Sequence, residues 1–137
     1  MLASLLSSVL AWLMVFHFAG PIPQDLGVDQ GHLRACAQPQ HCAQLRLTSA
    51  DPVGLFIALR QSLDAMPRTQ RLSATETYVH VVATSVVFGF ADDVELALDR
   101  RSGAVELRSE SRLGESDFGV NRQRLNGLQE QVREFLA

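Results

Sequence analysis

The sequence predicts an α+β fold. It reads as a single two-layer domain, an antiparallel sheet of about four strands packed against an N-terminal and a C-terminal helix, with a hydrophobic helix ahead of it. Three observations carry that expectation. Apolar residues at helical spacing run between Asp51 and Pro67, period-two alternation dominates from Thr69 to Ser109, and a second helical stripe runs from Leu125 to Leu136. The length of 137 residues suits one domain, and an apolar fraction of 47% is ample for its core.

The chain opens with "MLASLLSSVLAWLMVFHFAG", residues 1–20, which carry no Asp, Glu, Lys or Arg. As a helix, at about 1.5 Å per residue, this length roughly spans a bilayer core. It reads as a signal peptide or a membrane anchor. The basic n-region of a signal is missing and His17 is a poor residue two positions before Ala19, so both readings stand beside a third, a buried core helix. No cysteine follows directly, which excludes a lipoprotein anchor. Residues 21–32, rich in Pro and Gly, read as a linker, and the folded domain spans 33–137.

"CAQPQHC" places Cys36 and Cys42 six positions apart with Pro39 between them. Outside the cytoplasm such a pair forms a local disulfide, contributing about 2 kcal/mol by constraining the unfolded chain. Free thiols, or a zinc site using His32, Cys36, His41 and Cys42, are the alternatives, and the spacing matches no standard zinc module. No metal is expected.

In the first helix Asp51 caps, Pro52 takes the first helical position and Pro67 ends it. Leu55, Phe56, Leu59, Leu63 and Met66 form its core face. The β region begins at Thr69. "TYVHVVATSVVFGF" is β-branched and aromatic, and "DDVELALD" and "AVELRS" alternate polar with apolar. "RRSG" closes the last two into a hairpin with Gly103 in the left-handed position. Pairing Asp99 with Ala104 sets Leu98 opposite Val105, Leu96 opposite Leu107, Glu95 opposite Arg108, Asp93 opposite Glu110 and Asp92 opposite Ser111. A slip of one residue would set Leu98 against Glu106, so the pattern selects this register. In the last helix Asn121 caps, Val120 staples to Leu125, and Leu125, Leu128, Val132, Phe135 and Leu136 face the core.

The segment "RSESRLGESDFGVNRQR", from Arg108 to Arg124, joins hairpin to helix and concentrates the polar chemistry. Arg108, Arg112 and Arg122, with Arg124 and the free N–H groups around Asn121, can form an anion site. The competing reading is structural. Asp92, Asp93, Asp117, Glu110 and Glu115, with Ser111 and Ser116, can take up the guanidinium groups and pin the loop, Arg112 on Asp92 or Asp93 and Arg122 on Asp117. Asp92 and Asp93 point to opposite faces of a strand and do not share one cation or acid–base site; Asp92 reads as a turn residue and Asp93 as an arginine partner. His80 reads as a hydrogen-bonded polar residue. A Ser–His–Asp arrangement with Ser85 or Ser111 can be drawn, without a nucleophile elbow to support it.

These residues resemble a known family, the domain-of-unknown-function family DUF 1499. The resemblance rests on the Cys36–Cys42 loop with its proline, "MPR", "YVHVVATS", "FADDVEL" and, most specifically, "RSESRLGESDFGVNRQR", and covers roughly Leu26 to Leu136. It implies a small domain behind a signal or membrane segment, in bacteria and plant plastids, with no established activity. Gln40-His41 stand where the family tends to have Pro-Asn, and Glu110 replaces a small residue.

Composition narrows the function. All twelve basic residues are arginine, which excludes a Schiff-base lysine and a Walker-type phosphate loop. A net charge of −3 argues against nucleic acid as a partner. No catalytic residues and no cofactor are expected. The expected function is an extracytoplasmic binding or assembly module, in a periplasm or thylakoid lumen. It is held to the membrane through the N-terminal segment or released by cleavage, and meets an unknown protein or small anionic ligand through the arginine-rich loop. The alternatives are a hydrolase or transferase on an anionic substrate, with Arg112 and Arg122 holding charge and His80 or an aspartate as base, and a purely structural membrane-associated protein.

Overall fold

A computed structural model describes residues 19–86 and 88–136. The expectations for a signal or anchor at 1–20 fall almost wholly outside these residues. Among the described residues no helix is long and apolar enough to cross a membrane.

The fold is α+β, as expected, with five strands in the main sheet rather than four. In chain order the elements are β1 (Val28–Asp29), β2 (His32–Leu33), β3 (Cys42–Thr48), α1 (Pro52–Ala65), β4 (Thr69–Ala74), β5 (Tyr78–Thr84), β6 (Ala91–Asp99), β7 (Ala104–Ser111) and α2 (Val120–Gln131), followed by a short 3-10 turn, Arg133–Phe135. The sheet is antiparallel in the order β3-β7-β6-β5-β4. The additional strand, β3, alternates Ala43, Leu45 and Leu47 with Gln44, Arg46 and Thr48, a period-two signal that places it on the β7 edge. Because β3 and β4 are opposite edges, α1 must cross the sheet to join them. Asp51 caps α1 by accepting from Gly54 N–H, and Leu55, Phe56, Leu59 and Leu63 are buried beneath it.

The β6–β7 hairpin has the predicted register: Asp99 pairs with Ala104, Leu98 with Val105, Leu96 with Leu107, Glu95 with Arg108, Asp93 with Glu110 and Asp92 with Ser111. Both helices pack on the face that carries Val94, Leu96 and Leu98 of β6, Val79 and Val81 of β5, and Val105 and Leu107 of β7.

Three expectations need correction. Residues 21–32 are not a free linker. Val28 pairs with Leu33 and Asp29 with His32 in a small ribbon that lies against β6 and β7, because Gly27 and Leu33 find carboxylate acceptors on the sheet for their N–H groups. The apolar run "TYVHVVATSVVFGF" does not continue as one strand; β5 ends at Thr84, and Ser85 N–H and Oγ instead close a loop on Phe90. Asn121 does not cap α2. It lies inside the helix, which starts after Gly119 (φ 82°), and Asp117 is the acceptor for Gly119 and Asn121 N–H. Val120 is accordingly the first helical residue and 44% exposed, rather than a staple on Leu125.

Candidate functional site

The polar residues of the period-two strands do not face water. Alternation normally reports one buried and one solvated face, yet all residues of β6 from Ala91 to Leu98 are buried. Segment 20–34 covers the second face and encloses an ionic layer. At its centre is Arg108, 1% exposed. Its guanidinium donates to Glu95 at 3.1 Å, to Asp25 at 2.9 Å, and to Glu110. Glu95 also accepts from Tyr78 Oη at 2.7 Å and from Gly27 N–H at 2.6 Å. Burial, reinforced by Glu95, pushes the Tyr78 hydroxyl far above its usual range, so it stays a donor. One guanidinium thus serves three carboxylates. Burial drives the Glu110 carboxyl upward; Arg108 opposes that rise and the nearby Asp25 charge adds to it.

Beside this cluster lies a second group. Asp93 receives a two-pronged bond from Arg112, Nε at 2.8 Å and Nη2 at 2.9 Å, and a bond from the His80 ring at 2.7 Å between Nε2 and Oδ1. Burial raises the Asp93 carboxyl, but the bonds from Arg112 and His80 outweigh it and hold the group below its ordinary value. Arg112 Nη1 also reaches the Gly20 carbonyl at 3.4 Å, tying the start of the described chain to the loop. Of the two partners expected for Arg112, Asp92 or Asp93, it takes Asp93.

On the helix face a third node closes the junction between β7 and α2. Asp92 is a β6 residue rather than a turn residue, and it takes Arg124 Nη2 at 2.7 Å. Arg124 Nη1 also donates to Ser109 and to the Asn121 side-chain carbonyl. The Asn121 amide donates to Ser111, to Asp117 and to the His41 carbonyl. Ser116 accepts from Phe118 N–H. Arg122 is not on Asp117. It is exposed and donates to the Gln44 carbonyl at 2.8 Å, and among the described residues it pairs with no carboxylate.

The catalytic drawings do not assemble. Ser111 is opposite Asp92 on the helix face, while His80 is opposite Glu95 on the other. The Ser85 hydroxyl accepts from Phe90 N–H. Cys36 and Cys42 form the expected disulfide, which removes both sulfurs as zinc ligands, while His32 is bonded to Glu106 at 2.7 Å and His41 to Gln38 at 2.7 Å.

At the end of the sheet where β5 ends, β6 begins and β7 ends, loops 85–90 and 113–120 enclose a groove of about 360 Å³. Phe90, Leu113, Phe118 and Val120 line it, over a floor that includes Asp92 and Ser111. Around it stand Phe118 at 91% exposure, Val86 at 73% and Phe88 at 59%. The stretch "SVVFGF" carries this signal but is indistinguishable from strand by composition alone.

No curated protein gives a match to the chain. A family model described as a protein of unknown function, DUF1499, matches residues 23–132 and so takes in the ribbon, the ionic layer, the groove and all of α2. The chain belongs to the DUF1499 family.

Proposed function

We propose that this domain is a non-catalytic binding or assembly module that works outside the cytoplasm, and that its working surface is the apolar end formed by loops 85–90 and 113–120. The groove and its exposed rim carry this reading, since a folded domain rarely leaves several large apolar side chains together in water without a partner. Buried ion pairs on both faces act as the rigid base of those loops: Arg112 holds the second loop to Asp93 in the ionic layer, and Arg124 holds the start of α2 to Asp92 on the helix face. Recognition of an anionic group falls to Arg122, because Arg108, Arg112 and Arg124 are already bonded to carboxylates. The Cys36–Cys42 disulfide and the uncharged first 18 residues support a place in an oxidising compartment next to a membrane, a periplasm or a thylakoid lumen.

The test is site-specific photocrosslinking in native membranes. A photoreactive phenylalanine analogue at position 118 should yield adducts, and one at position 101, in the β6–β7 turn at the opposite end of the sheet, should not. Absence of adducts at 118 would remove the proposed working surface.

A further inference from the structure

The rim invites a more specific assignment, which rests on the binding reading above. Its most exposed residues project: Phe118 lines the groove yet stays 91% exposed, and Val86 and Phe88 lie outside the lining altogether. Phe118 has φ +53°, a left-handed backbone that a bulky residue rarely adopts, in a tight turn held by Asp117 and Ser116. The turn directs the largest apolar side chain of its loop into solvent. Val86 and Phe88 project from the neighbouring loop. Projections from separate loops suit a soft medium without shape of its own, whereas a peptide groove would recess its apolar contacts.

Two further observations choose the medium. The backbone of Gly20 lies against Leu113 and Arg112, so close that a Cβ there would come within 2.9 Å of the Leu113 side chain. The 19 preceding residues, which lack any charged side chain, therefore join the domain at this same apolar end. The charge pattern also discriminates. Residues 85–90 are uncharged, and residues 113–120 carry only the acids Glu115 and Asp117. No basic residue in these loops is available for anionic headgroups, so attraction must come from apolar insertion rather than from surface potential.

We propose that this end of the domain seats on a lipid bilayer, with Phe118, Phe88 and Val86 entering the boundary between headgroups and acyl chains. The seat would set the orientation of the domain: the β6–β7 turn at Arg100–Gly103 points away from the membrane, and Arg122 lies at its side.

The test uses the full chain in phosphatidylcholine vesicles, with Trp12→Phe removing the single native tryptophan. Phe118→Trp and, separately, Phe88→Trp report on the two loops, and Arg101→Trp reports on the far end. Tryptophans at 118 and 88 should lose most of their emission to lipids brominated near the headgroup, lose less to lipids brominated deep in the chain, and resist iodide. The pattern should survive high salt. Tryptophan at 101 should respond to iodide alone. Shielding of 118 and 88 from iodide without any bromolipid quenching would overturn the bilayer seat and leave a binding surface covered by protein. Free access of iodide to both would overturn the seat and the binding reading together. Should Phe118→Trp disturb its turn, Phe88→Trp gives the same readout from the other loop.

Discussion

The two faces of the sheet are both buried, but by different chemistry. On the helix face β6 presents Val94, Leu96 and Leu98; on the other it presents Asp93 and Glu95, each 1% exposed, with Arg108 of β7 opposite. The apolar face gains from each area removed from water, largely independent of which neighbour covers it. The ionic face gains only while every charge keeps its partner, since an uncompensated buried charge costs several kcal/mol. The first face therefore supplies stability, and the second demands one particular arrangement of segment 20–34 and loop 112–119. That arrangement positions the apolar rim.

The comparison can be broken most sharply at Arg108. Arg108→Ala leaves Glu95, Glu110 and Asp25 without their cation and should destabilise by about 3–5 kcal/mol in urea unfolding. On the apolar face Leu59→Ala, beneath α1, should cost about 3 kcal/mol through its cavity. An effect of Arg108→Ala smaller than that of Leu59→Ala would mean that the ionic layer is less tightly closed than its burial implies. Arg112→Ala removes the two-pronged bond to Asp93 and should cost about 2 kcal/mol, with faster hydrogen exchange in residues 112–119.

Acid separates the faces further. The Asp93 carboxyl is held below its unfolded value, so the stability it contributes is complete above about pH 4 and is lost as pH falls through its folded value. Glu110, raised by burial, has the opposite sign: its contribution is present in acid and lost as pH rises through its raised value. Glu110→Gln should therefore raise the melting midpoint slightly at neutral pH, while Asp93→Asn should lower it and flatten the acid limb. The smallest effect on stability belongs to the rim. Phe118→Asp should change unfolding by less than about 0.5 kcal/mol, because the side chain is 91% exposed, yet it should abolish crosslinking from a photoreactive analogue placed at position 88.

Much of the fold was legible because period-two alternation leaves little choice of register. Pairing Asp99 with Ala104 sets Leu98 opposite Val105 and Leu96 opposite Leu107, a one-residue slip would set Leu98 against Glu106, and the same pairing places Glu95 opposite Arg108. The same register brought Asp92 and Asp93 beside the loop of Arg112, and the structure selects Asp93. What alternation does not report is whether a polar face meets water or protein. The partners that decide it are remote: Asp25 reaches Arg108 across 83 residues, and Arg112 reaches the Gly20 carbonyl across 92. Asn121 was misplaced for a related reason. A polar residue before an apolar stripe has the signature of a cap, but here Asp117 takes that role and Asn121 is buried against Ser109 and Ser111. The rim was missed because "SVVFGF" has strand composition, and only the return of Phe90 N–H to Ser85 shows the chain turning instead.

The sequence by itself determined the class of the fold, the capped first helix, the hairpin register, the disulfide pair and the family motif, because each depends on neighbours close in the chain or on strict periodicity. The tertiary structure alone decided that the acidic strand face is enclosed, which arginine each carboxylate holds, and that apolar loops gather beside the entry of the N-terminal segment. Those outcomes depend on charges and surfaces brought together from distant parts of the chain, and burial, not residue type, sets their energy.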